Sequence, residues 1–161
     1  MTIENVDIDS GTLEIHMQND DPVGGFQFDM TGVTITGASG GSAEANGFMI
    51  SASESRILGF SLTGATISPS DGILISLSYD FSGTYAILDL SDVTFSDSGA
   101  DAIDFGVSSD EYVLGNLPPV PESPTNVSAT VSNMINVNLS WDSSEYAEFY
   151  TVYRDGQSIG N

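Results

Sequence analysis

Hydrophobic and polar residues alternate with a period of two along most of the sequence. Leu13, Ile15 and Met17 alternate with polar residues. The same pattern returns in four further runs, at residues 26–30, 58–62, 73–79 and 93–95. A period of two places successive side chains on opposite faces of a β-strand, whereas the apolar face of an amphipathic helix repeats about every 3.6 residues. The pattern therefore predicts β-strands and no helix of useful length.

Each run ends in residues that favour turns. These are Asp-Asp-Pro at 20–22, Gly-Ala-Ser-Gly-Gly at 37–41, Pro-Ser-Asp-Gly at 69–72, Ser-Gly at 82–83 and Asp-Ser-Gly at 97–99. Such residues adopt the backbone angles of tight turns and cap free backbone groups with their side chains. About nine strands fit before residue 115, which predicts an all-β fold with two antiparallel sheets packed as a sandwich.

Residues 117–124 contain four of the six prolines in the sequence. Proline fixes its own φ and restricts the residue before it, so this stretch is expected to be an extended, semi-rigid spacer. The predicted organisation is a first domain at 1–115, a proline-rich linker at 116–124 and an incomplete second domain at 125–161.

The second domain has a pattern of its own. It contains Pro-Thr-Asn-Val-Ser-Ala-Thr at 124–130, Leu-Ser-Trp-Asp at 139–142 and Tyr-Thr-Val-Tyr-Arg-Asp-Gly at 150–156. These motifs resemble the first three strands of a fibronectin type III domain, an immunoglobulin-like sandwich. Because such a domain needs about seven strands, we expect these residues to be a segment of a longer polypeptide.

The first domain resembles another family. Thr-Leu-Glu-Ile-His-Met-Gln-Asn at 12–19 is followed by Val-Gly-Gly-Phe-Gln-Phe-Asp-Met at 23–30, and related patterns lie at 58–67, 72–78 and 89–97. Over residues 3–107 this order is similar to cohesin domains. The resemblance implies a nine-stranded jelly-roll sandwich that binds dockerins or serves as a module of surface and polysaccharide-degrading proteins. It identifies no individual binding residue here.

The charge of the protein excludes several partners. The net charge is −21, with only two basic residues, Arg56 and Arg154. Nucleic-acid phosphates and anionic membranes would repel such a protein, and no apolar run is long enough to span a bilayer. Cysteine is absent, so disulfides and thiolate metal sites are excluded. We expect an extracellular or cell-surface protein whose export signal lies outside these residues.

Catalytic motifs are missing from the sequence. His16 is the single histidine, and no Gly-x-Ser-x-Gly motif occurs. A Ser-His-Asp triad would have to use His16, which the alternation places on the outward face of a strand. The protein is therefore not expected to be an enzyme.

Calcium is the one cofactor that the acidic turns suggest, because this ion prefers carboxylate and carbonyl oxygens. The candidate ligands are Asp97, Asp101 and Asp104 in one turn and Asn19, Asp20 and Asp21 in another. The alternative is that both are solvated turns in which Asp side chains accept hydrogen bonds from backbone N–H groups.

Three functions are compatible with these features. The leading hypothesis is a non-catalytic scaffold module that binds another protein, either a dockerin-like partner or a second copy. The first alternative is a subunit of an extracellular filament assembled by strand addition. The second is a carbohydrate-binding ancillary domain of a polysaccharide-degrading enzyme, which would use Tyr79, Phe81 and Tyr85 as a platform for a glycan.

Overall fold

The computed structural model describes residues 1–106, 111–133 and 136–160. It divides into two compact units, Met1–Leu117 and Pro118–Asn161. The first unit contains β1 (Thr2–Asp7), β2 (Thr12–Asn19), β3 (Gly25–Thr31), β4 (Thr34–Ser39), α1 (Gly41–Ala45), β5 (Met49–Ala52), β6 (Arg56–Phe60), β7 (Ser70–Asp80), β8 (Tyr85–Ser96), β9 (Ala102–Ile103) and β10 (Tyr112–Gly115).

These strands form two antiparallel sheets. One has four strands in the order β1-β2-β7-β4, and the other has the order β10-β8-β3-β6-β5 with β9 added to β8. Side chains from both sheets belong to a single buried core. The predicted antiparallel sandwich is therefore confirmed. The short helix α1 stands between β4 and β5 in the sequence.

The period-two pattern corresponds to the buried face of the central strands. Leu13, Ile15 and Met17 of β2 are at most 1% exposed, and they face a core that also contains Phe26 and Phe28 of β3. Burying an apolar side chain of this size contributes about 1.5–3 kcal/mol. The alternation thus fixes which face of β2 and β3 points inward.

The second unit consists of two hairpins. In one, β11 (Thr125–Ser132) pairs with β12 (Asn136–Asp142), and in the other, β13 (Val152–Arg154) pairs with β14 (Gln157–Gly160). The Trp141 ring of β12 packs edge-on against the Tyr150 ring at 5.4 Å between centroids. The assignment of this region to the fibronectin type III fold stays a prediction.

The described ranges contain no helix with the length and apolar character that a membrane crossing requires.

Candidate functional site

The six-stranded sheet has one face on the core and one face directed away from it. Side chains that point away from the core alternate with buried side chains along β3, β5, β6 and β8. Cross-strand pairing places these outward side chains next to one another. We call this surface the outer face. Its residues are Gln27, Asp29, Met49, Ser51, Arg56, Leu58, Phe60, Asp92, Thr94 and Ser96.

A shallow depression lies at the centre of the outer face. Its volume is about 390 Å³, and it is lined by Gly25, Phe26, Gln27, Leu58, Gly59, Phe60, Thr94 and Ser96. Gly59 is directly opposite Phe26 in the β3–β6 register. The Phe26 ring occupies the space that a side chain at position 59 would need. This pairing sets the floor of the depression.

The depression combines exposed apolar groups with uncharged polar ones. Leu58 is 37% exposed and the neighbouring Met49 is 52% exposed. Gln27 and Thr94, which pair across β3 and β8, are polar but neutral. In a protein with a net charge of −21, a region without charge is suited to contact with another protein surface, because interface centres are depleted of charged residues.

An ion-pair cluster borders the depression. Arg56 Nε and Nη2 donate to the two carboxylate oxygens of Asp29 at 2.6 and 2.7 Å, and Nη2 also donates to Asp92 Oδ2 at 3.1 Å. A register shift on the β3–β8 pair and a left-handed φ of 49° at Asp92 accompany this arrangement. The guanidinium group therefore links side chains from β6, β3 and β8.

The cluster changes the titration of its members. The hydrogen bond from Arg56 lowers the pKa of Asp29, and the same bond raises the pKa of Arg56. An aspartate with a lowered pKa in the folded state stabilises the fold at pH values above the ordinary aspartate range. This contribution is lost as the pH falls through the lowered pKa.

We expect Asp29→Asn to lower the free energy of unfolding at neutral pH. We also expect that free energy to depend less on pH in the acid range. The amide cannot form the charged pair with Arg56, so less stability remains to be lost on acidification. Urea unfolding followed at several pH values would measure this. Asp89→Asn, an exposed change on β8, is the matched control. If both variants kept the wild-type pH profile, the pair with Arg56 would contribute nothing to stability.

The predicted calcium ligands are distributed over two places. Asp20, Asp21 and Asp104 line one cleft of about 410 Å³ together with Asn19. Asp97 instead caps its own turn, since its Oδ1 accepts hydrogen bonds from the N–H groups of Gly99 and Asp101 at 2.8 and 3.0 Å. Within the ranges that the structure describes, no three acidic or histidine side chains are grouped as a metal ion would require. Calcium binding stays a prediction.

Asn19 has a structural role that the sequence did not reveal. Its side chain is buried, with 5% of the residue exposed. Nδ2 donates to the carbonyls of Asp21 and Ser68 at 2.8 and 3.2 Å, and Oδ1 accepts from the N–H and hydroxyl of Ser70, both at 3.2 Å. The amide thus holds the end of β2 to the start of β7.

His16 lies on the other sheet, between two carboxylates. Its Nε2 is 2.8 Å from Asp71 Oδ1 of β7, and its Nδ1 is 3.8 Å from Glu4 Oε1 of β1. These contacts connect neighbouring strands of the four-stranded sheet.

The three aromatic rings suggested as a glycan platform do not all lie on the protein surface. Tyr79 is 4% exposed, and its hydroxyl donates to the Asp7 carbonyl at 3.2 Å. Burial raises the pKa of this phenol. Phe81 is half-buried, whereas Tyr85 is 42% exposed. Of the three rings, Tyr85 presents the most surface to solvent.

The sequence matches no protein-family model and no curated protein. Among solved structures, a chain of a type I cohesin–dockerin complex from Clostridium thermocellum is similar, with 17% identity and a TM-score of 0.43. The match covers 57% of this chain and 75% of that chain. Because this similarity is low, the two sheets and the outer face are defined by the strand pairing and the side-chain positions described above.

Proposed function

We propose that the Met1–Leu117 unit is a non-catalytic module that binds another protein through the outer face. The observation that carries this proposal is the depression around Leu58 and Gly59, which is lined by apolar and uncharged polar residues and bordered by the Arg56 cluster. The sequence resemblance to cohesin domains favours a dockerin-like partner. The extracellular or cell-surface location expected from composition is part of the same proposal.

The side chains of the outer face suit such contact. Leu58 and Met49 expose apolar area to water on a strand surface, and covering that area is favourable. An anchoring side chain of a partner would enter the depression and displace water from Leu58 and Phe60. The Arg56 cluster is already hydrogen-bonded, so its geometry is set before a partner arrives.

The test compares two leucines that differ in position and not in chemistry. Leu58→Asp places a charge in the depression, and we expect it to weaken the binding of a dockerin-type module by about 30-fold or more, the effect typical of a central contact. Leu62→Asp changes a leucine that is 72% exposed and outside β6, and we expect binding to be unchanged.

Calorimetry on the full chain would measure the affinities, and thermal unfolding would show that both variants remain folded. Equal affinities for wild type and Leu58→Asp, with binding intact, would assign the contact to another surface. A failure of all dockerin-type modules to bind would remove that partner class.

Self-association is a second candidate, and an apolar face of the second unit favours it. On one face of the β11–β12 hairpin, Val131 pairs with Val137 and Ala129 with Leu139. Val131 is 73% exposed and Val137 is 60% exposed. Sedimentation of the full chain over a range of concentrations distinguishes a monomer from an assembling subunit.

A further inference from the structure

The loop that follows α1 contains the Asn46-Gly47 pair, which is the one Asn-Gly sequence in the protein. Both residues are exposed, and Gly47 has a left-handed φ of 70°, with no atom beyond its chain neighbours within 4 Å of the position that a Cβ would occupy. A glycine after asparagine puts no side chain in the way of its own backbone nitrogen. This position therefore combines access to water with the least hindered geometry for attack on the asparagine amide.

We propose that Asn46 is a site of spontaneous covalent modification. The backbone nitrogen of Gly47 attacks Cγ of Asn46, so that a new bond forms between these atoms and the bond from Cγ to Nδ2 breaks. The Gly47 nitrogen loses its proton, and Nδ2 departs as ammonia. Water then opens the resulting succinimide at either carbonyl and yields aspartate or isoaspartate at position 46. Nothing beyond water is consumed, and no group is oxidised or reduced.

The native cap of α1 controls this reaction. The Gly47 N–H donates to the Glu44 carbonyl at 2.9 Å, and Asn46 Nδ2 donates to the Ser42 carbonyl at 2.7 Å. Both reacting groups are thus held in hydrogen bonds that must open first. α1 is only five residues long, so local opening of its last turn does not require the unit to unfold.

The product would disturb the core next to the outer face. Phe48 lies two residues after Asn46, is 7% exposed, and its ring lies 6.2 Å from the Phe26 ring at an interplanar angle of 17°. Isoaspartate adds a methylene to the backbone between α1 and Phe48. That addition shifts the ring that packs against Phe26. Conversion at Asn46 is therefore expected to lower the melting temperature of the first unit.

Incubation of the full-length protein in mildly alkaline buffer, followed by peptide mapping with mass spectrometry in ¹⁸O-labelled water, tests the proposal. We expect label and loss of ammonia at Asn46 and none at Asn5, an exposed asparagine followed by the branched Val6. Ala45→Gly weakens α1 at an exposed position, and we expect it to raise the conversion rate roughly two- to fivefold.

One outcome would overturn the proposal, and a second would overturn the control of the reaction by α1. If Asn46 stays intact in the folded wild-type protein while it is converted in the urea-unfolded protein, the fold blocks the site completely. If Ala45→Gly reacts at the wild-type rate, opening of α1 does not control the reaction.

Discussion

Replacement of Phe26 by alanine is expected to lower the free energy of unfolding of the first unit by about 3–5 kcal/mol, the usual cost of removing a buried phenylalanine. Phe26 is 2% exposed, and its ring centroid lies 6.2 Å from each of the rings of Phe28, Phe48 and Phe95. These rings come from β3, β8 and the segment after α1. The alanine variant would leave a cavity where they meet.

Denaturant unfolding monitored by circular dichroism, or hydrogen exchange of the β3 amides, would measure this loss on the full-length protein. Tryptophan fluorescence is unsuitable because Trp141, the single tryptophan, belongs to the second unit. Leu62→Ala, at a position 72% exposed, is the control and should change stability by less than about 0.5 kcal/mol. A loss at Phe26 as small as the control would mean that the aromatic cluster is not a packed core.

The sequence predicted the sandwich because alternation reports burial wherever one face of a strand is clearly apolar. β2 is such a strand, since Leu13, Ile15 and Met17 point inward and the residues between them are polar or charged. The run at 58–62 was harder to interpret. Ile57 is fully buried, whereas Leu58 is 37% exposed, so the apolar residues at 58 and 60 lie on the face away from the core.

The sequence did contain a signal for which residues of this run face away from the core. Arg56 is two residues before Leu58 and four before Phe60, so a period of two puts all three on one face. A guanidinium group seldom points into an apolar core. Its position therefore indicates that Leu58 and Phe60 face outward with it, and Gly59 inward.

The rest of the site depends on contacts between residues that are far apart in sequence. Asp92 reaches Arg56 across 36 positions, and the register shift between β3 and β8 is not encoded in a local motif. The acidic turns pose a different difficulty, because a carboxylate oxygen that binds calcium and one that accepts a backbone hydrogen bond use the same residue types. In this structure the Asp97 carboxylate accepts backbone hydrogen bonds, and the amide oxygen of Asn19 does the same.

Gly59→Ala is expected to destabilise the first unit by about 1–3 kcal/mol, as is usual when a group is forced into a packed core. The added methyl group would collide with the Phe26 ring, which is held on its other sides by neighbouring rings. Gly72→Ala on β7 is the matched control, because open space surrounds that glycine. Similar losses for the two variants would mean that the cost comes from the strand backbone alone.

A double-mutant cycle with Phe26→Leu separates collision from general destabilisation. Leucine is smaller than phenylalanine, so Gly59→Ala should cost less in the Phe26→Leu background than in wild type, by an interaction energy of about 0.5 kcal/mol or more.

Gly59 and Phe26 also line the depression. If the outer face binds a partner as proposed, Gly59→Ala should weaken binding together with stability, whereas Leu58→Asp should weaken binding alone. That contrast distinguishes the backbone at Gly59, whose added methyl group would point into the core, from the exposed side chain of Leu58, which is proposed to meet a partner.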